Sequence, residues 1–421
     1  MVLFRMDRQH RILLVLILLI IVLLILTGMW IDGPRKVLTG FLDLQLHPAR
    51  LINDFIEIRG TGAALLNGAI VGLIGLILVL INGVSLSGPT YAAIFTMIGF
   101  GLFGKTPLNI APILFGVFLA GRYVRKKFSQ YILIALYGTA LGPLVSTLAF
   151  EIGLPYPAAL MLAAAGGLAV GFLLPSIAVA MLHMHQGYNL YNIGLSCGFL
   201  GLFAASVIRA GGHTYSAALQ WHSGNPLYLV LLVPVLSLLL IAAGFLEEKG
   251  KALRDFVSIQ KLPGRLPSDF MEMQSVGGAL INSGVIGLLG SVYIFMIGAD
   301  FSGPIIGGLF TIIGFAAFGT HLRNSWSVLL GVFSSTLLFG MSPSSPGPAL
   351  AAIFGTTLSP LAGQFGPVIG FIAGFIHLIM VSFTGPWHGA MNLYNNGFAG
   401  GLTATLIVAV IQWYNSTKAE L

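Results

Sequence analysis

The chain has 421 residues, of which 57% are hydrophobic and only 8% charged, with a formal net charge of +7. Soluble domains carry about 25% charged residues, so too few polar side chains remain to coat a water-soluble globule of this size, and the solvent must be lipid. The positive excess is first a positive-inside bias; no basic stripe with interleaved aromatics argues for nucleic acid, and the single Cys197 excludes an internal disulfide framework and a Cys-based zinc or iron–sulfur site.

Residues 1–10 read as a cytoplasmic N-terminal tail. Arg5, Arg8 and Arg11 introduce the apolar run Ile12–Leu26, which is long and ends in Thr-Gly-Met-Trp rather than a small-x-small cleavage site. We therefore expect a retained helix over 11–31, not a leader. Linker 32–60 follows. Within it Leu51, Phe55 and Ile58 recur at helical spacing, which predicts an interfacial helix over 48–58 with its acidic and basic residues toward water. Further apolar segments cover about 61–81, 88–104, 107–121, 131–150, 158–182 and 190–209. A spanning helix needs ~20 apolar residues. The third and fourth segments are short by that measure and form either a re-entrant hairpin or two spans.

From residue 226 the same pattern begins again. Pro48, Arg50, Asp54, Glu57, Asn67 and Gly72 have mates at Pro263, Arg265, Asp269, Glu272, Asn282 and Gly287, an offset of 215 that runs ungapped through Gly116-Val117-Phe118 and Gly331-Val332-Phe333. The segments of the second copy lie at about 226–246, 277–297, 303–319, 325–340, 347–362, 366–385 and 393–413, with linker 247–274 matching 32–60. The domains are thus a first repeat at 11–225, a second at 226–413 and a C-terminal tail at 414–421.

About seven segments per copy, an odd number, turn the second copy upside down. The loops agree: Arg122-Tyr-Val-Arg-Lys-Lys127 in copy one is replaced by the uncharged Met341-Ser-Pro-Ser-Ser-Pro-Gly347 in copy two. Lys and Arg gather on the cytoplasmic side, which puts the two loops on opposite faces and both termini inside. The expected fold is an all-α polytopic membrane protein of two inverted-topology repeats, in a bacterial plasma membrane.

Near the end of each copy stands H-x-x-x-N-L-Y-N-x-G: His185, Asn189, Tyr191, Asn192 and Gly194, then His388, Asn392, Tyr394, Asn395 and Gly397, at an offset of 203. This is a polar break between apolar helices. Irregular backbone at membrane depth must be buried by protein or line a watery cavity. Asn and Tyr at a helix start are also ordinary caps, so packing and pathway lining both account for the pattern. A second pair, Phe95-Thr96-x-x-Gly99-Phe100 and Phe310-Thr311-x-x-Gly314-Phe315, either packs helices through Gly and Phe or narrows a pore beside a Thr hydroxyl. The apolar segments hold almost no carboxylates, Glu151 and Asp300 falling at segment ends. Met181, His183, Met184 and His185 hint at a soft metal site, but copy two keeps only His388 of the set, so no metal and no other cofactor is expected. No phosphate loop, nucleotide fingerprint, nucleophile elbow or HExxH motif occurs, and no enzymatic activity is expected.

Taken whole, the chain resembles an uncharacterised family of tandemly duplicated bacterial integral membrane proteins, a likeness that implies no activity. Locally, Gln186-Gly-Tyr-Asn189-Leu-Tyr-Asn192 and the Phe-Thr pairs are similar to the Gly-Tyr-Asn loops and Phe-Thr pore segments of urea transporters. The motif order differs, and Asn225-Pro226 is not duplicated. That likeness implies a small, polar, uncharged, urea- or amide-like solute. The leading expectation is a channel or secondary transporter with its pathway between the repeats. Asn189, Asn192, Asn392 and Asn395 would bind the solute. Tyr191 and Tyr394 would shape the site, His185 and His388 would hold or gate the loops, and Thr96 and Thr311 would form a second layer. The partners are the lipid bilayer and the solute; a homo-oligomer is compatible. The rival is a non-transporting intramembrane sensor or scaffold, with the two motifs far apart. A lipid-acting enzyme would need an acid–base or metal constellation.

Overall fold

A computed structural model describes residues 8–213 and 219–420; the first seven residues of the N-terminal tail, the last residue of the C-terminal tail and the side chains of 418–420, Lys418 among them, lie outside what it describes. Two sets of ten helices follow one another. The first comprises α1 (Arg8–Asp32), α2 (Pro34–Leu44), α3 (Phe55–Arg59), α4 (Thr61–Ile81), α5 (Gly88–Phe100), α6 (Pro107–Tyr123), α7 (Ile132–Gly138), α8 (Gly142–Phe150), α9 (Tyr156–His185) and α10 (Asn192–Ala210). The second comprises α11 (Leu227–Glu248), α12 (Gly250–Ile259), α13 (Phe270–Met273), α14 (Val276–Met296), α15 (Gly303–Phe315), α16 (Leu322–Leu338), α17 (Pro346–Gly355), α18 (Ser359–Phe365), α19 (Pro367–Thr384) and α20 (Asn395–Glu420). Each helix of the first set has its mate ten places later. Among the described residues nine helical stretches are long and apolar enough to cross a membrane, so the chain is a multi-pass membrane protein.

The short third and fourth segments form a hairpin. At 13 residues, α5 is roughly 20 Å long, too short for a hydrocarbon core of about 30 Å. It runs antiparallel to α4: a Cβ on Gly101 would strike Gly68, and one on Gly72 would strike Ile98. α6 then returns, so that Asn82 after α4 and Arg122 in α6 line one cleft. The hairpin tip is held from α4, where the buried Asn67 amide donates to the carbonyls of Gly101 (2.6 Å) and Lys105 (2.7 Å). Asn282 repeats this with Ala316 (2.7 Å) and Thr320 (2.9 Å). A buried amide with both protons satisfied fixes the tip where backbone carbonyls would otherwise be orphaned.

Equivalent helices meet across an approximate two-fold axis. A Cβ on Gly99 would lie 2.4 Å from the Gly307 carbonyl, and one on Gly307 would lie 2.4 Å from the Gly99 carbonyl. Only hydrogen fits there, so α5 and α15 approach backbone to backbone. Asp54 of the first linker accepts the Gly303 N–H (3.1 Å) at the start of α15, and Asp269 of the second accepts the Gly88 N–H (3.1 Å) at the start of α5. Such reciprocity is the mark of an isologous contact. Equivalent helices run antiparallel: Gly88 opens α5 beside Ala317 and Phe318 past the end of α15, while Arg8 at the start of α1 pairs with Glu247 at the end of α11 (3.2 Å).

The linkers differ from the sequence expectation. The helix is not at 48–58: α2 begins at Pro34, after Gly33, and α3 holds only five residues. Pro at the first helical turn is pre-set for helix, whereas the backbone at 48–54 leaves the helix to pair elsewhere. The Leu51 N–H donates to Ala390 (2.9 Å) and the Asp54 N–H to Gln220 (3.1 Å). Phe55 and Asp54 are fully buried, so the acidic residue faces the partner repeat rather than water.

Candidate functional site

The two H-x-x-x-N-L-Y-N segments converge on the axis. Each is a left-handed turn ending a helix, Gln186 and Gly187 after α9 and Gly389 and Ala390 before α20, followed by a second turn at Leu-Tyr and a new helix. The contacts are again exchanged. The Asn189 amide donates to Gly397 O (3.1 Å) and the Asn392 amide to Gly194 O (3.3 Å). The Leu190 N–H donates to Thr357 O and the Leu393 N–H to Ala140 O, both at 3.0 Å. A Cβ on Gly194 would come within 3.0 Å of the Gly397 Cα, and conversely. The Tyr191 and Tyr394 rings lie 5.2 Å apart, with Phe315 4.4 Å from Tyr191 and Phe100 4.5 Å from Tyr394. Four rings thus cluster about the axis in tilted and edge-on contacts.

The asparagines are engaged by the protein itself. Asn192 Oδ1 faces His185 Nε2 (2.9 Å) and its amide donates to Ala178 O (3.3 Å); Asn395 Oδ1 faces His388 Nε2 (3.0 Å) and its amide donates to Val381 O (3.1 Å). His185 Nδ1 in turn accepts the Asn189 N–H (3.2 Å), so each histidine closes its own loop. Asn189 Oδ1 accepts from the Thr357 hydroxyl (2.6 Å), while Asn392 Oδ1 accepts the Tyr394 N–H (3.0 Å). The copies differ here because Ala140 stands where the second copy has Thr357. Thr96 shares a hydrogen bond with the Tyr394 hydroxyl (3.2 Å), whereas Thr311 donates to Gly307 O (2.9 Å) within its own helix. The Tyr191 hydroxyl, buried beside Thr356, makes no hydrogen bond of ordinary geometry. His183 and Met184 are exposed while His185 is buried, so the sulfur and imidazole groups of that stretch do not converge.

A cavity of about 340 Å³ opens against the first motif. Its walls are Leu190–Gly194, Tyr137 and Leu133–Ile134 from the first repeat, and Leu266–Ser268, Phe315, Phe318 and Tyr394 from the second. Leu182 and Pro267, both exposed, rim its mouth. Leu133 and Ile134 follow soon after the Arg122–Lys127 turn, so the mouth faces that end of the molecule. Among the described residues no charged side chain lines it. The two-fold mates of the wall are packed shut: Leu350, Ala351, Phe354 and Asn395 are buried, where Leu133, Ile134 and Asn192 are half-buried. The cavity is therefore one-sided.

Sequence reasoning missed one buried charge. Lys105, at the tip of the first hairpin, is fully buried. Its Nζ lies 3.3 Å from Leu136 O and 3.5 Å from Met97 Sδ, 5.2 Å from the centre of the Phe100 ring. No carboxylate meets it among the described residues. The signal was available in the register, since Lys105 aligns with Thr320. The linker carboxylates were noted as mates but not as caps. Burial pushes Asp54 up to about 6, against the opposing pull of the His222, Ile56 and Gly303 N–H groups. Asp269 is likewise raised to about 6 by burial.

Fold and site together define an all-helical, multi-pass membrane protein built of two homologous repeats that interlock through paired helix breaks. The family described as "Protein of unknown function (DUF1576)" matches residues 33–210 and 248–413, one stretch in each repeat, and the chain belongs to that family. No curated protein and no solved structure matches it.

Proposed function

We propose that the protein carries a small uncharged solute across the membrane through the space between its repeats. The observation that supports this most is the one-sided cavity ending on the Tyr137–Tyr191–Tyr394 cluster at the axis. Antiparallel mates α1/α11 and α5/α15 favour repeats of inverted topology, because an axis perpendicular to spanning helices lies in the membrane plane. Each repeat then contributes five crossings (α1, α4, α7–α8, α9 and α10, and their mates) and one re-entrant hairpin. Both termini and the Arg122–Lys127 turn sit on the cytoplasmic side of a bacterial plasma membrane, by the positive-inside bias. The cavity opens toward the cytoplasm, and exchange of the two repeats' packing would open its mate outward.

Because the motif asparagines are engaged by protein partners, they serve in this proposal as the locks that fix each loop. The solute is met by the tyrosines, by the wall of Leu190–Gly194 and by Phe315. Absence of charge in the wall favours neutral solutes, with the amide-like class retained as one candidate. The scaffold reading draws support from the same satisfied asparagines, and flux separates the two. Proteoliposomes are tested with small amides, ammonia, water and organic anions, using the wild type and Ile134→Trp. Ile134 is half-buried on the cavity wall and its side chain makes none of the hydrogen bonds that join the repeats, so the bulkier ring fills the cavity while those bonds stay in place. The proposal expects uptake of at least one neutral solute and its loss in Ile134→Trp. Flux of none, or unchanged flux in the variant, rejects it.

A further inference from the structure

We infer that the cleft at the Arg122–Lys127 turn is a binding site for the phosphate headgroup of an anionic phospholipid. The cleft holds about 640 Å³ between the ends of α4 and α6. Arg122, Arg125, Lys126 and Lys127 line it, all exposed. Among the described residues none of the four is ion-paired. Arg125 sits in the left-handed region (φ 57°) and closes a tight turn, with the Lys126 N–H donating to Gly121 O (2.9 Å). That turn folds the cations around one opening instead of spreading them along a helix. The floor is apolar: Phe118 and Phe128 meet edge-on at 5.8 Å, and Phe118 stacks on Phe115 at 5.8 Å. Phe115, Phe118, Ile77 and Ile81 are exposed on the adjoining outer surface, giving an acyl-chain track that leads away from the cations. Charge above and apolar surface below match a lipid and no free anion.

The fold does not require these charges. At the same place the second repeat has Met341–Gly347 without a single one, and Ile297 stands where Asn82 does. A bias toward the cytoplasmic side accounts for positive charge in the loop but not for an aromatic-floored cleft beneath it. Basic clusters beside membrane helices attract anionic headgroups by about 1 kcal/mol per Lys or Arg. The inference stands apart from solute transport, since the cleft and the cavity share no wall.

Native mass spectrometry of the detergent-purified full chain, given equal amounts of phosphatidylglycerol and phosphatidylcholine, provides the test. Phosphatidylglycerol should be retained in preference by the wild type. The Arg122→Gln/Arg125→Gln/Lys126→Gln/Lys127→Gln variant, eluting as the wild type does, should lose that preference by at least about tenfold. Equal retention of both lipids by the wild type, undiminished preference in the variant, or complete displacement of the lipid by inorganic phosphate alone overturns the inference. If the quadruple variant aggregates, Lys126→Glu/Lys127→Glu decides by the same criterion.

Discussion

Replacing Asp54 by Ala tests the interlock between the repeats quantitatively. The carboxylate accepts three backbone donors: Ile56 N–H at 2.9 Å, His222 N–H at 3.0 Å and Gly303 N–H at 3.1 Å. Orphaning a buried donor costs about 1–3 kcal/mol, so the three together lose roughly 3–9 kcal/mol. Against this stands the burial of the charge. The rise from 3.8 to about 6, at 1.36 kcal/mol per pH unit, means that the ionised native state gives up about 3 kcal/mol at neutral pH. Removing the group recovers that much. The net loss is roughly 0–6 kcal/mol at neutral pH and grows as pH falls, so the variant should be plainly less stable at the acid end. The sign of the pH dependence is also fixed. An acid whose folded value is raised contributes stability that is fully present below its unfolded value and lost as pH rises through the folded one. The wild type is therefore favoured at pH 4–5 relative to 7.5, and the deficit of Asp54→Ala should be larger near pH 5. The assay is the apparent melting temperature in detergent at fixed scan rate, with Asp43→Ala as control, since Asp43 makes only an exposed pair with Arg59 (3.3 Å). An unchanged melting temperature at pH 5, or a deficit that is larger at pH 7.5, would refute the reasoning.

Gly99→Val should lower the apparent melting temperature by several degrees, because its Cβ meets the Gly307 carbonyl at 2.4 Å, whereas Gly347→Ala, with open space around it, should not. Thr357→Ala, which imposes the first repeat's Ala140 on the second, removes hydrogen bonds to Asn189 Oδ1 (2.6 Å) and from the Tyr191 N–H (3.0 Å). A loss of about 1–3 kcal/mol is expected, read as reduced thermal stability. Lys105→Met keeps the stem and removes a buried amine without a counter-charge, so stability should hold or rise; a melting temperature lowered by more than a few degrees would show that the amine is structurally required.

Much of this fold was legible because duplication repeats its own evidence. Segment ends, the short hairpin helices and the paired breaks recur in both copies, and most helix bounds fall within a few residues of the apolar runs. The linker helix was misread because Leu51, Phe55 and Ile58 have helical spacing for another reason: Phe55 is buried with its N–H bonded to Leu102 O at the end of its own repeat's hairpin, and the backbone before it pairs with distant carbonyls. Nothing local signals that the N–H partners of Asp54 and Asp269 lie 249 and 181 residues away. The asparagines were legible as a paired polar break, but their protein partners were not, since an amide reads alike whether it awaits a solute or a carbonyl. Lys105 was hidden by its setting in Phe-Gly-Lys-Thr, where the Phe-Gly pair drew the comparison and the charge after it did not.

The central claim is that two oppositely directed repeats enclose a wet cavity open to one face. Single cysteines at Arg125, Ser344 and Ile134, introduced over Cys197→Ser and labelled in sealed membranes of known orientation with an impermeant thiol reagent, test it directly. The account predicts that Arg125→Cys and Ser344→Cys react from opposite sides and that Ile134→Cys reacts only from the side of Arg125→Cys. Labelling of positions 125 and 344 from the same side, or an Ile134→Cys that reacts from neither, would contradict it.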